Sequence, residues 1–158
     1  MRVLIVDDVP AVREALRLLL DDEPGVQVVG EASDGEEALR LAEALRPDVV
    51  LLDLDMPHLG GLTATRALAS QPNPPRVVVM NVYGADAGLR RLALAAGAAT
   101  YVEKGASLED VVAALRSALA TDDGRRTRAD ERTATVDDRR SLGATDDGPR
   151  RPTQDTAA

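Results

Sequence analysis

Short apolar runs alternate with longer segments of helical periodicity along the first 120 residues. Runs rich in Val, Leu and Ile predict strands at residues 2–6, 26–31, 48–53, 76–80 and 99–103. The segments between and after them predict helices at residues 10–21, 35–45, 61–70, 86–96 and 107–120. The last helix has one apolar face, formed by Leu108, Val111, Val112, Leu115 and Leu119. The chain therefore alternates strand and helix throughout this region.

Three of the predicted helices begin at recognisable start motifs. Pro10 suits a first helical turn, where its missing N–H has no partner to lose. Ser33-Asp-Gly-Glu36 predicts a capping box, and Ser107-Leu-Glu-Asp110 repeats the motif with an aspartate. These motifs support the helix boundaries that the periodicity predicts.

The predicted strands at 2–6, 48–53 and 76–80 are apolar nearly throughout, as parallel strands covered on both faces are. Consecutive βα units with right-handed crossovers build a doubly wound α/β fold. We predict a flavodoxin-like five-stranded parallel sheet in the order 2-1-3-4-5, with five helices.

Residues 121–158 differ in composition from the rest of the chain. Aspartates and arginines nearly balance there, and the large apolar residues dwindle to Val136 and Leu142. The pentapeptide Ala-Thr-Asp-Asp-Gly occurs at 120–124 and again at 144–148. Such a segment has no apolar face to bury. We predict a domain at 1–120 and a disordered charged tail at 121–158; an interaction segment that uses the paired charges is the alternative.

The overall composition limits the class of protein. The 158 residues include no cysteine, which excludes disulfides and thiolate metal sites. No apolar run approaches the roughly 20 residues of a membrane span, so we expect a soluble cytoplasmic protein. The net charge of −8 argues against a broad nucleic-acid surface. With two tyrosines and no Phe or Trp, the core must consist of aliphatic residues.

Polar side chains follow three of the predicted strands. Asp7 and Asp8 follow the first strand, Asp53 ends the third, and Lys104, the only lysine of the chain, follows the fifth. Because open α/β sheets bind ligands outside the carboxyl ends of their strands, we expect these groups to meet at one edge. Clustered carboxylates repel one another unless a cation lies among them, and oxygen ligands of this kind suit Mg²⁺.

This set of groups suits phosphoryl transfer. An aspartate carboxylate can attack phosphorus and form an acyl phosphate, and Asp53 is the predicted nucleophile. Mg²⁺ and Lys104 would neutralise the charge on the transferred phosphoryl group. We expect the adjacent Gly60-Gly61 to serve the turn into the third helix rather than to bind phosphate.

Three motifs together resemble the receiver domain of bacterial two-component response regulators. They are Asp7-Asp8, Asp53-Leu-Asp-Met-Pro57 followed by Gly60-Gly61, and Tyr101-Val-Glu-Lys104. The resemblance covers about residues 1–120. The opening Arg-Val-Leu-Ile-Val-Asp-Asp and residues 29–35 are most similar to the subfamily that usually carries a helix-turn-helix output domain.

The resemblance implies a role for each site residue. Asp53 would accept a phosphoryl group from a phosphohistidine of a sensor histidine kinase or phosphotransfer protein. Mg²⁺ would be bound directly by Asp8 and Asp53, largely through water by Asp7, and by the backbone carbonyl of Asp55. Lys104 would contact the phosphoryl group.

The predicted switch pair departs from the family pattern. Tyr101 would be the aromatic residue that rotates inward, and receivers normally place Thr or Ser at the end of the fourth strand as its partner. Asn81 stands there instead. An amide still donates a hydrogen bond, but it is larger. Phosphorylation could therefore persist while its coupling to Tyr101 weakens. Gly105 also replaces the Pro or Asp that frequently follows the lysine.

We interpret the chain as a phosphorelay switch whose chemistry is limited to its own phosphorylation and slow hydrolysis, and we expect a role in transcription regulation. A downstream partner or a second copy would bind the face formed by helix 4, strand 5 and helix 5. One alternative is a degenerate receiver that binds partners independently of phosphorylation, and another is a phosphohydrolase with Asp53 and Asp55 as nucleophile and acid. We do not expect direct DNA binding, because residues 121–158 offer no two-helix pattern.

Overall fold

The strands lie side by side in one parallel sheet. The computed structural model describes residues 1–56, 59–82 and 86–120. Its strands are β1 (Arg2–Val6), β2 (Gln27–Ala32), β3 (Val49–Asp53), β4 (Arg76–Asn81) and β5 (Thr100–Glu103). Their order across the sheet is β2-β1-β3-β4-β5, and every neighbouring pair is parallel. The predicted sheet is confirmed.

Helices cover both faces of this sheet. They are α1 (Pro10–Asp21), α2 (Gly35–Leu45), α3 (Gly61–Ala69), α4 (Ala87–Ala96) and α5 (Leu108–Ala120). Buried residues of α2, α3 and α4 pack on one face, and buried residues of α1 and α5 pack on the other. Within the described ranges, every helix is too short or too polar to cross a bilayer.

The two apolar layers follow from the alternation of side chains along each strand. In β1, Leu4 and Val6 enter the layer under α2 and α3, whereas Val3 and Ile5 enter the layer under α1 and α5. All five residues of β3 are buried. Central parallel strands are therefore apolar on both faces up to the polar residue that ends them, which is the pattern that the sequence shows.

The predicted element boundaries agree with the observed ones to within one residue. The ends of β1, α1 and α2 coincide with the prediction. Two of the remaining differences arise where a predicted helix included its cap, since Asp86 and Ser70 flank α4 and α3 as capping residues. β4 extends to Asn81 because that residue still pairs with Glu103 of β5.

The predicted helix starts are confirmed at two positions and displaced by one residue at the third. Pro10 opens α1, and the Ser107 hydroxyl accepts a hydrogen bond from the amide of Asp110 at 3.1 Å. At α2 the cap is Asp34 rather than Ser33, because the Asp34 carboxylate accepts from the amide of Glu37 at 2.8 Å. The Glu37 carboxylate in turn accepts from the Ser33 amide at 2.9 Å, so the box lies one residue later than predicted.

Two sequence predictions fall outside the described ranges. The charged tail at 121–158 is one of them, and the division of the chain at residue 120 stays a prediction with it. Pro57 of the motif after Asp53 is the other.

The start of α3 packs tightly against the end of β3. A Cβ atom on Gly61 would lie 2.5 Å from Cα of Leu54 and 2.6 Å from the carbonyl oxygen of Asp53. The neighbouring Gly60, by contrast, has open space where its Cβ would be. Gly61 therefore lets α3 begin directly beside the residue that ends β3.

Gly61→Ala should destabilise the protein by about 3 kcal/mol, because a methyl group would displace backbone atoms of the Asp53–Leu54 segment. Gly60→Ala is the matched control. It changes only the residue before α3 and should cost less than about 1 kcal/mol. Urea unfolding of both variants measures the difference. Equal stabilities would contradict the close packing at Gly61.

Candidate functional site

The predicted site residues meet at the carboxyl edge of the sheet. β1 and β3 are neighbours, with Val6 opposite Leu52 in the register. Asp7 and Asp8 follow β1 directly, and Asp53 is the last residue of β3. Their carboxylates are brought together because adjacent parallel strands end at the same level.

The three carboxylates form one tight cluster. Ligand oxygens of Asp7, Asp8 and Asp53 all lie within 4.8 Å of one another. Asp7 and Asp53 are fully buried, whereas Asp8 is partly exposed to solvent. Buried carboxylates at this spacing raise one another's energy unless positive charge lies close to both.

Lys104 supplies that positive charge. Its Nζ lies 2.6 Å from Oδ2 of Asp53 and 2.7 Å from Oδ2 of Asp7. The residue follows β5, two strands away from β3, and its backbone amide donates to the carbonyl of Asn81 at 2.8 Å. This backbone bond fixes Lys104 at the end of β4, from where its side chain reaches across to the acidic cluster.

The two ammonium contacts differ in kind. The contact with Asp53 is a hydrogen bond, whereas Oδ2 of Asp7 accepts no hydrogen bond of acceptable geometry from the described residues despite the short distance. We therefore regard the Asp7 contact as ionic. Burial alone would lower the pKa of Lys104, but the hydrogen bond to Asp53 and the negative charges of Asp53 and Asp7 outweigh it and raise that pKa above the ordinary lysine value of 10.5.

Comparison with known proteins agrees with this geometry. Residues 3–116 match the response regulator receiver domain. The chain belongs to this family. Among its relatives, response regulator GacA of Pseudomonas aeruginosa is 48% identical over 120 residues, which is 76% of this chain and 56% of GacA. Response regulator UvrY of Escherichia coli strain K12 is 42% identical over 117 residues, 74% of this chain and 53% of UvrY. The receiver chain thus spans about half the length of these curated relatives.

Solved receiver structures share the fold. The response regulator domain of Thermotoga maritima CheB is 30% identical with a TM-score of 0.70, over 76% of this chain and 96% of that one. A LuxR-family two-component response regulator from an Aurantimonas species is 36% identical with a TM-score of 0.71, over 84% and 97%. The CheX–CheY–BeF3–Mg complex from Borrelia burgdorferi is 28% identical with a TM-score of 0.68, over 74% of this chain and 87% of that one. The family and subfamily resemblance inferred from the sequence is confirmed.

The receiver's acidic cluster fits a hard divalent cation. It offers three carboxylates at the spacing of metal ligands, one of them partly exposed to solvent. Oδ2 of Asp7 is buried and lacks a directed hydrogen bond among the described residues, so it has capacity for a further donor such as a metal-bound water. Asp55 is exposed, and its amide donates to Oδ1 of Asp53 at 3.2 Å.

The predicted switch residues lie on one face of the sheet. Asn81 ends β4 and is fully buried, and Tyr101 lies opposite Val79 in the register of β4 and β5. Because Val79 and Asn81 are two positions apart, the three residues share the face covered by α2, α3 and α4. Burial raises the pKa of Tyr101, and nearby carboxylates raise it further.

One contact to the site was absent from the sequence prediction. The guanidinium of Arg13, on α1, donates to the backbone carbonyl of Asp7 at 2.6 Å. The receiver motifs give no indication of it, because arginines on α1 otherwise resemble solvent-exposed helix residues. Only the position of Arg13 one turn into the helix, directly after the paired aspartates, could have suggested the contact.

Lys104→Met should destabilise the metal-free protein by about 1–3 kcal/mol, because it leaves Asp7 and Asp53 buried without a cation. The raised pKa of Lys104 means that its stabilising contribution is complete below pH 10.5 and is lost as the pH rises through the folded-state pKa. The stability difference between wild type and variant should therefore shrink in strong alkali, and also in excess Mg²⁺. Urea unfolding across pH measures this difference; a constant gap would contradict it.

Proposed function

We propose that Asp53 is the phosphoryl acceptor of this receiver. The observation that supports this role most directly is the contact of its buried carboxylate with Lys104 at 2.6 Å, inside a cluster of two further carboxylates. The site combines carboxylates that can bind a cation with an ammonium that can bind a phosphoryl group, and it meets solvent at the partly exposed Asp8. Such a site suits the transfer of an anionic group.

The proposed reaction forms one P–O bond and breaks one P–N bond. A carboxylate oxygen of Asp53 attacks the phosphorus of a phosphohistidine, and the imidazole leaves as the P–N bond breaks. Lys104 then interacts with the phosphoryl oxygens in place of the carboxylates. Water later hydrolyses the acyl phosphate slowly, so the chemistry of the receiver is limited to its own modification.

Mg²⁺ is the proposed cofactor. Asp8 and Asp53 would bind it directly, Asp7 would act largely through water, and the Asp55 backbone carbonyl would complete the protein ligands. When bound, the cation neutralises charge on the transferred group. The likeness to the CheX–CheY–BeF3–Mg complex supports this assignment.

The partners follow from the same proposal. A sensor histidine kinase or a phosphotransfer protein would supply the phosphoryl group, and a downstream protein or a second copy would bind the face of α4, β5 and α5. Leu92 and Leu94 of α4 are exposed at 57% and 45%, so this helix presents apolar surface to solvent. A role in transcription regulation is supported by the likeness to a LuxR-family regulator. The cytoplasmic location stays a prediction.

The phosphorylation-independent interaction module is not favoured. Asn81 motivated that alternative, but the carboxylates and the ammonium are assembled as a phosphoryl-accepting site requires. The phosphohydrolase alternative needs Asp55 as an acid beside the nucleophile. The Asp55 side chain is exposed, and only its backbone amide contacts Asp53 among the described residues.

Asp53→Asn should abolish Mg²⁺-dependent phosphoryl uptake from a small phosphodonor such as acetyl phosphate, because an amide cannot form the acyl phosphate. Asp48→Asn is the matched control. Asp48 precedes the same strand at the opposite edge, where its exposed carboxylate accepts from the Arg2 amide at 2.7 Å. Intact-mass spectrometry should show phosphorylated wild type and Asp48→Asn only. Equal uptake by Asp53→Asn would remove Asp53 as the acceptor.

Beryllofluoride with Mg²⁺ should shift the backbone amide signals of both Asn81 and Tyr101 if the switch operates through their shared face. Asn81→Thr restores the residue that receivers usually have and serves as the positive reference. Two-dimensional amide NMR of both proteins tests the coupling. A shift at Asn81 with none at Tyr101 would mean that the asparagine has interrupted the switch.

A further inference from the structure

We propose that Arg13 is a positioning residue for the Mg²⁺ ligand Asp8. This inference rests on the proposed metal site. The three residues between β1 and α1 are Asp7, Asp8 and Val9, and Arg13 bonds to both ends of that connection. Its side chain donates to the carbonyl of Asp7 at 2.6 Å, and its backbone amide donates to the carbonyl of Val9 at 3.2 Å.

The other contacts of this connection leave Asp8 dependent on its neighbours. Asp7 is held by its amide, which donates to the carbonyl of Ala32 at 3.1 Å, and by its Oδ1, which accepts from the amide of Val9 at 2.8 Å. Asp8 is the central residue, and its carboxylate is the partly exposed member of the cluster. Its position is therefore set by how firmly Asp7 and Val9 are held.

Glu31 of β2 orients the guanidinium. Its Oε2 lies 3.7 Å from Nε of Arg13, and the Arg13 side chain is only 17% exposed. The planar guanidinium can face Glu31 through Nε and the Asp7 carbonyl through Nη1 at the same time. A lysine at this position would keep the charge, but its three N–H donors sit on one nitrogen at the end of a flexible stem, without the rigid, planar arrangement of donors that spans the two partners.

Arg17 provides a matched control on the same helix. It lies one turn further along α1 and contacts the same Glu31, with Nε 3.2 Å from Oε1. Its Nη1 also lies 3.2 Å from Oδ2 of Asp21. Arg13→Lys and Arg17→Lys therefore both perturb the contact with Glu31, and both preserve the positive charge. Only Arg13→Lys removes a guanidinium that binds the connection between β1 and α1.

The experiment is a calorimetric Mg²⁺ titration of the full chain and its variants. Arg13→Lys should weaken Mg²⁺ binding roughly tenfold, as loss of an outer partner of a metal ligand does. Arg17→Lys should stay close to wild type. Glu31→Gln should weaken binding less than Arg13→Lys, and the double variant Arg13→Lys with Glu31→Gln should be no weaker than Arg13→Lys alone, since both changes act through one group.

A second measurement separates positioning from general stability. In the metal-free protein, the amide NMR signals of Asp8 and Val9 should shift in Arg13→Lys and not in Arg17→Lys. Equal Mg²⁺ affinity of wild type and Arg13→Lys would overturn the role of Arg13 while leaving the metal site intact. Failure of wild type itself to bind Mg²⁺ would overturn the metal site and this inference together. Tighter Mg²⁺ binding by Arg13→Gln would show that the charge of Arg13 repels the cation, and it would overturn the positioning role.

Discussion

The ammonium of Lys104 between the carboxylates of Asp7 and Asp53 is the interaction on which this receiver depends. Two buried acids at one sheet edge are unfavourable without it, and they are also the groups that the proposed chemistry requires. The fold resolves this conflict by taking the cation from a distant strand. In the order β2-β1-β3-β4-β5, the end of β5 lies two strands from β3, and the Lys104 side chain reaches across β4 to the acidic cluster. The topology and the chemistry are therefore parts of one constraint.

Most of this fold could be predicted from the sequence, because the physical signals are local. β-branched runs, helical spacing and residues such as Pro10 fix where elements begin, and parallel order follows from the crossover rule. The meeting of Asp7, Asp8, Asp53 and Lys104 was predictable for the same reason, since each residue directly follows or ends a strand. The capping error at α2 shows the limit of local patterns. Asp34 and Ser33 are both good caps, and the backbone geometry decides between them.

The contacts of Arg13 and Gly61 were beyond that kind of prediction. Both depend on how a helix packs against a loop rather than on any run of residues. Gly61 matters because the Asp53 carbonyl lies where its side chain would be, and Arg13 matters because α1 folds back over the end of β1. Such packing distances cannot be obtained from the order of apolar and polar residues. Both contacts involve backbone atoms of residues in the acidic cluster, Gly61 beside the carbonyl of Asp53 and Arg13 at the carbonyl of Asp7.

The choice of arginine at every other basic position has a chemical consequence. Apart from the N-terminal amine, which donates to the Gly25 carbonyl, Lys104 is the single primary amine of the chain. Guanidinium groups resist acylating reagents that modify amines. Acylation of this one side chain would therefore depend on solvent access to the pocket and on the raised pKa that keeps its amine protonated beside Asp53 and Asp7. The native protein contains its own chemical reporter, at the atom where charge compensation takes place.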